Sequence, residues 1–300
     1  MRGTLRGGRP PAGRPTRAAA AAALLPLLLG ACISERREQA IGDQIASQVN
    51  AQVPLVYDVP LNRYVNELGR LIARHSDRPE ARYYFYIVDT GSLNAFALPG
   101  GHIYVNRGLI ERTSNVSELA GVLAHEIGHV AARHGAENLQ RHLRSRSMAG
   151  VMYQMVLGRE PLIDAEALEL GGMMWSAHHS RADEQEADEL AVRYLMATGV
   201  DPRGMLSLFS TLWEEEQHLP QGQQAASWFS THPTTTARMD ATRAHIRTLL
   251  PQAHGDLARD NKDYPAFLRR LGALPPPVGD ILLPAGHPPV GPGGAAGAHP

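Results

Sequence analysis

The residues of this chain best suited to chemistry lie within five positions, His125-Glu126-Ile127-Gly128-His129. On a helix with 3.6 residues per turn, His125 and His129 lie on one face and can bind a single metal ion. Glu126 projects about 100° away from that pair, beside the ion rather than onto it. That position suits a general base acting on water. The spacing therefore predicts a metal-dependent hydrolase.

A catalytic zinc site normally needs a third protein ligand. His134 lies one residue short of the metzincin spacing, so we expect it to be structural. The acidic run Ser180–Asp188 offers a better source. Glu184 and Asp188 share a helix face, so Glu184 can bind the metal while Asp188 accepts the outer N–H of a ligand histidine. The alternative is that this run forms a solvated acidic face.

The histidine pair needs a helix to hold it, and the sequence predicts one over 116–133. Its leucine, valine and isoleucine stripe indicates a buried face. Asn115, followed by Glu118 three residues later, is typical of a capped helix start. Other helical patterns lie at 36–52, 59–75, 137–157, 164–175, 178–198, 203–217 and 235–249.

Strands are predicted earlier in the chain. The run Tyr83–Asp89 is aromatic and β-branched. Asn94–Leu98 and His102–Asn106 flank a Pro-Gly-Gly turn and indicate a hairpin. Because the strands come early and helices dominate later, we expect a mostly helical α+β fold with a small early sheet.

Several separated segments make the chain similar to a known family. The HExxH helix and the run Ser180–Asp188 resemble those of the zinc endopeptidases that include HtpX, the CAAX prenyl endoprotease and the periplasmic BepA- and LoiP-type metalloproteases. The segments Asn94–Val105 and Glu118–Ala124 match as well. The resemblance covers about residues 40–250.

This resemblance implies a gluzincin-like domain with the HExxH helix at its core. It implies one Zn²⁺ per chain, held by His125, His129 and Glu184, with Glu126 as the base. The implied substrates are misfolded or misassembled envelope proteins. A non-catalytic or latent periplasmic chaperone or outer-membrane assembly factor is the alternative, and a structural zinc protein with four protein ligands is another. The intact Glu126 favours the enzyme, because a scaffold has no use for a base.

An oxyanion-stabilising group is also required. The candidates are His178, His179, His232 and Arg238, and the sequence does not choose among them. His232 lies in a Ser-Thr-His-Pro loop that the related periplasmic proteins share in part. We hypothesise that it approaches the zinc, either assisting catalysis or occupying the open position as a brake. The alternative is that His232 stabilises the turn.

The predicted strand at 94–98 carries no charged residue. Its residues Asn94, Ala95, Phe96 and Ala97 are predicted to form an edge onto which an extended substrate adds as another strand. Pairing of this kind reads backbone shape more than sequence, which suits unfolded chains. The alternative is that the segment is an ordinary core hairpin.

The two ends of the chain differ from its middle. Residues 1–31 hold five arginines, no acid and a short apolar run, which predicts a secretory signal peptide. The run ends in Leu-Gly-Ala-Cys and resembles a bacterial lipobox, with Cys32 as the lipidated residue. We expect a zinc peptidase domain over 32–272 and a flexible Pro/Gly/Ala-rich tail over 273–300.

The charge balance limits the partners. The net charge is −1 over 300 residues, so nothing favours nucleic acid as a partner. Ile33 follows Cys32 in place of the aspartate linked to inner-membrane retention. We therefore expect a periplasmic protein, lipid-anchored to the outer membrane.

Overall fold

The structure is a computed structural model, and it describes residues 34–141, 179–218, 228–233, 236–253 and 255–277. The predicted signal peptide, Cys32, His178 and the predicted helix at 164–175 lie outside the described residues. Of the helix predicted at 137–157, only the first part is described, and it begins at residue 134.

Helices make up most of the described fold. They are α1 Glu35–Gln52, α2 Val59–Ala73, α3 Arg107–Glu111, α4 Val116–Ala131, α5 Arg181–Thr198, α6 Arg203–His218, α7 Trp228–Thr231, α8 Thr236–Leu249 and α9 Tyr264–Gly272. The long ones lie within three residues of their predicted bounds. The mostly helical α+β class is thereby confirmed. Among the described residues, no helix has the length and apolar character needed to cross a membrane.

The sheet has three strands, β1 Tyr84–Val88, β2 Ala95–Leu98 and β3 His102–Asn106, in the order β1-β3-β2. Strands β2 and β3 form the predicted antiparallel hairpin. Its turn uses Gly100 and Gly101 at φ of 79° and 84°, a conformation that glycine adopts without strain. Strand β1 pairs with β3 in parallel, which the sequence did not predict. Strand β2 therefore lies at the edge of the described sheet.

Helix α4 occupies the centre of the fold, and all 16 of its residues are buried. It packs against α2, α5, α6 and strands β2 and β3. The predicted cap is present, because the Asn115 side chain accepts a hydrogen bond from the Glu118 N–H. The Glu118 carboxylate in turn accepts the Ser114 N–H at 2.6 Å. Sheet and helices together thus fix α4 on all sides.

The last described residues pack against the domain. The buried side chain of Arg107 donates to the carbonyl oxygens of Leu274 at 3.4 Å and Pro275 at 2.6 Å. Leu274 also contacts the hydrophobic core. The packed region therefore extends a few residues beyond the boundary at 272 that composition indicates.

Candidate metal centre

The start of α5 sets the orientation of its acidic residues. Ser180 and Asp183 form a reciprocal capping box, in which the Asp183 N–H donates to Ser180 Oγ at 3.1 Å and the Ser180 N–H to Asp183 Oδ2 at 3.0 Å. With the helix start fixed, Glu184 and Asp188 face inward and are 0% and 2% exposed. The alternative of a solvated acidic face is therefore wrong for these two residues.

The three predicted ligands meet between α4 and α5. His125 Nε2 and His129 Nε2 lie 3.0 Å apart. Glu184 Oε1 is 3.3 Å from His129 Nε2, and Glu184 Oε2 is 3.6 Å from His125 Nε2. All three side chains are at least 98% buried.

His232 brings a fourth donor to the same place. Its Nδ1 lies 3.0 Å from Glu184 Oε1 and 3.3 Å from His125 Nε2. Its ring stacks on the buried Trp228 at a centroid distance of 4.2 Å, which fixes its direction. The predicted approach of this histidine to the metal cluster is therefore observed.

This cluster fits Zn²⁺. One donor atom from each of the four side chains lies within 4.8 Å of the others. Donors about 2.0–2.1 Å from a tetrahedral zinc are about 3.4 Å apart, close to the separations seen here. Two imidazoles and a carboxylate are also the donor types that catalytic zinc takes.

The charges around the cluster favour a cation. Burial alone would lower the pKa of His125, but Asp188 and Glu184 raise it to about 9. Burial would also raise the pKa of Glu184, yet His232, His125 and His129 hold it well below its ordinary value. What favours a divalent ion is the formal charge of the fixed groups, because three buried carboxylates, those of Glu126, Glu184 and Asp188, face one guanidinium, that of Arg238.

Asp188 lies behind His125, as predicted from its spacing. Its Oδ1 is 2.9 Å from His125 Nδ1, the nitrogen that points away from the cluster. Arg238 binds the same carboxylate through Nε at 2.6 Å and Nη2 at 2.8 Å, and Thr242 donates to it at 3.1 Å. The Arg238 Nη1 also lies 2.5 Å from Glu184. Arg238, predicted as an oxyanion or switch residue, is thus placed to orient two carboxylates.

Glu126 lies beside the donors, where the helix geometry predicts it. Neither carboxylate oxygen has a hydrogen-bond partner among the described residues, and both are buried. His232 Nε2 is 3.4 Å from Oε1. Burial raises the pKa of Glu126, although His232 and His125 act in the opposite direction. A buried carboxylate with a raised pKa and open acceptor atoms is suited to accept a proton from water.

Two histidines border the cluster on its other side. His179 lies with its ring 3.9 Å from that of His129, and burial lowers its pKa to about 3. His134 contacts the outer nitrogen of His129 at 2.8 Å. No sequence pattern predicts this contact, because His134 follows the end of α4 and its spacing does not fit the metzincin pattern.

The predicted substrate edge is only partly accessible. Asn94, Ala95 and Phe96 are buried, while Ala97 is partly exposed. The Asn94 side chain accepts a hydrogen bond from Thr231 at 3.2 Å, which ties β2 to the loop of His232. A small pocket beside the cluster is lined by Ala97, Leu98, Pro99, His129 and His179, among others. The end of β2 therefore borders the metal cluster.

The approach of α4 to α5 depends on Gly128. A Cβ at this position would lie 2.9 Å from the carbonyl oxygen of Ala187, which follows Glu184 by less than one turn. We expect Gly128→Ala to push α5 away, cost about 1–3 kcal/mol of stability, and weaken zinc binding by about tenfold or more. Denaturant unfolding and chelator competition measure both effects.

The matched control is Gly272→Ala, at a helical glycine where an added Cβ meets nothing within 4 Å. It should leave the zinc dissociation constant unchanged. Equal zinc affinity in the two variants would contradict the role assigned to the helix contact.

The fold and this site have the arrangement of the HExxH class of metallopeptidases, with a glutamate from a second helix in the metal-binding cluster. The sequence agrees, because the model of peptidase family M48 matches residues 60–246. The chain belongs to peptidase family M48, which confirms the family indicated by its motifs.

The chain is similar to curated proteins of bacteria and of mitochondria. The chain is 31% identical over 229 residues to the beta-barrel assembly-enhancing protease of Yersinia pestis, covering 74% of the chain and 46% of that relative. It is 26% identical over 250 residues to the Escherichia coli K12 protein of that name, covering 81% and 50%. It is 32% identical over 152 residues to the mitochondrial metalloendopeptidase OMA1 of Arabidopsis thaliana, covering 51% and 29%. The chain thus spans about half the length of these relatives or less.

Proposed function

We propose that this protein is a zinc-dependent endopeptidase that hydrolyses peptide bonds in misfolded or misassembled proteins of the bacterial envelope. The observation that carries the proposal is the meeting of two histidines and a glutamate around one point, with a second glutamate beside them. His125, His129 and Glu184 hold one Zn²⁺ per chain, and Glu126 is the base.

The roles of the side chains follow from their positions. Bound zinc supplies positive charge that lowers the pKa of water and polarises the scissile carbonyl. Glu126 accepts the proton of the water as its oxygen attacks the carbonyl carbon. It returns that proton to the amine nitrogen as the C–N bond breaks. Asp188 and Arg238 keep His125 and Glu184 in place.

The substrate class rests on two supports. The bacterial relatives are named for enhancing beta-barrel assembly, which favours envelope proteins as clients. The end of β2 beside the cluster offers a strand edge to an extended chain, and such pairing suits unfolded polypeptides. We therefore propose that Asn94, Ala95, Phe96 and Ala97 present the edge that aligns the substrate.

The location is proposed from the leader. The signal peptide over 1–31 and the lipobox ending at Cys32 support a periplasmic lipoprotein of the outer membrane. The membrane partner is then the bilayer, reached through the lipid anchor. The charge of the chain provides no support for a nucleic-acid partner.

Digestion of an unfolded protein tests the activity. We expect the purified protein to cleave casein, to lose this activity when zinc is chelated, and to regain it when stoichiometric Zn²⁺ is added. Fragments are followed by gel and mass spectrometry, with a folded protein as the comparison substrate. Cleavage that persists after complete zinc removal would exclude the mechanism.

The fourth donor favours a second candidate, a latent enzyme or non-catalytic chaperone on the same fold. His232 Nδ1 lies among the donor atoms where a catalytic site needs an open position. We infer that His232 acts as a brake on the peptidase. A protein locked in this state would bind unfolded clients without cleaving them.

Removing this histidine separates the two states. We expect His232→Ala to raise kcat/KM on casein by about fivefold or more, because it increases the fraction of sites open to substrate. The exposed His75→Ala serves as the control and should have no effect. A fall in turnover would instead assign His232 an assisting role in catalysis. Unchanged turnover would rule out both the brake and the assisting role.

A further inference from the structure

A histidine outside the HExxH motif lies directly against the metal ligand His129. His134 Nδ1 is 2.8 Å from His129 Nδ1, and His134 is 3% exposed. The other ring nitrogen, His134 Nε2, lies 3.5 Å from the carboxylate of Glu186, which is largely exposed. These three side chains form a line from the metal cluster to the surface.

The contact permits one arrangement of protons in a metal-binding site. His129 Nε2 faces His125 and Glu184, so it must be unprotonated to bind a metal. Neutral His129 then carries its proton on Nδ1 and donates it to His134 Nδ1. The proton of His134 is consequently on Nε2, facing Glu186. Each ring has a single tautomer.

The backbone between the two histidines is built for this contact. Helix α4 ends at Ala131, and Arg133 has a φ of 64°, the only positive φ at a non-glycine position in the described part of the chain. Such a conformation is strained for a residue that has a Cβ atom. The Arg133 Nε lies 2.8 Å from the buried carboxylate of Glu38 on α1. This ion pair holds the turn that returns His134 beneath His129.

A neutral partner suits the charge balance of the site. Three buried carboxylates, Glu126, Glu184 and Asp188, are offset by Arg238 and a divalent ion. The carboxylate of Asp188 already supports His125. Another carboxylate behind His129 would leave a net negative charge in the interior, which is costly. An imidazole accepts the same hydrogen bond without adding charge.

We propose that His134 is a positioning residue that fixes the tautomer and ring plane of the metal ligand His129. This rests on the metal site proposed above. Partners of metal-bound histidines typically contribute 10- to 100-fold to metal affinity.

Two substitutions separate this role from packing. His134→Asn keeps an acceptor oxygen at the position of Nδ1, whereas His134→Leu keeps apolar volume and removes the acceptor. We expect the zinc dissociation constant to rise about 10- to 100-fold in His134→Leu and to stay within about threefold of wild type in His134→Asn. Chelator competition measures it, with circular dichroism as the folding check. A packing role gives the reverse order and would overturn the proposal.

Nuclear magnetic resonance of the zinc-loaded wild type provides a test that needs no variant. Correlations between imidazole protons and nitrogens should place the proton of His129 on Nδ1 and that of His134 on Nε2. A proton on His134 Nδ1 would overturn the proposal. Both measurements are independent of proteolysis, so a zinc-binding protein that cleaves nothing would refute the proposed function while leaving this inference intact.

Discussion

Glu126→Gln is expected to lower kcat/KM on an unfolded protein by about 10³-fold or more while zinc remains bound. The amide has the shape of the carboxylate but cannot accept the proton of the attacking water. General base catalysis contributes about 10²–10⁴-fold in enzymes. Glutamine keeps an acceptor oxygen for His232 Nε2, which lies 3.4 Å from Glu126 Oε1, so the substitution leaves no nearby donor unsatisfied. The fold and the donor cluster should therefore persist.

The measurement pairs a peptidase assay with zinc analysis of the same preparation. Glu189→Gln is the control, since this glutamate lies on the exposed side of α5 and should leave activity at the wild-type level. Activity within tenfold of wild type for Glu126→Gln would refute the assignment of the base. Loss of zinc together with activity would mean that Glu126 acts as a ligand.

Arg238→Met is expected to destabilise the metal-free protein by about 3–5 kcal/mol, because it removes the guanidinium that pairs with the buried carboxylates of Asp188 and Glu184. The guanidinium contacts both of them, at 2.5 to 2.8 Å. It also holds the pKa of Asp188 below its ordinary value although burial acts in the opposite direction. Denaturant unfolding of the zinc-free protein measures the loss.

Two further variants make this test specific. Arg243→Met, on the same helix, removes an exposed pair with Asp240 and should cost no more than about 1 kcal/mol. Adding Asp188→Asn to Arg238→Met should restore part of the stability, since one uncompensated charge disappears. If Arg238→Met were no more harmful than Arg243→Met, the buried carboxylates would not depend on this cation.

Local patterns predicted the elements and part of the site. Periodicity located the long helices, and helix geometry placed His125 and His129 on one face. The i, i+4 spacing of Glu184 and Asp188 predicted that one could bind the metal and the other could accept the outer N–H of a ligand histidine. The structure places Glu184 in the donor cluster and Asp188 behind His125. These features depend on residues close together in the chain, so a local sequence pattern is enough to predict them.

Other features depend on contacts that no local pattern encodes. The clamp between Arg238 and Asp188 joins side chains 50 positions apart. The contact of His134 with His129 requires a left-handed turn at Arg133, and an arginine gives no indication of positive φ. The parallel pairing of β1 with β3 likewise follows from tertiary packing.

The complete burial of α4 has a consequence for how this protein can vary. Every residue of the helix is buried. A substitution there therefore alters the packing of the neighbouring helices as well as the metal cluster. New substrate preferences can arise with less penalty at the rim of the site, where the partly exposed Ala97 lines the pocket beside His129. Directed evolution of selectivity should therefore begin at that rim and leave the central helix unchanged.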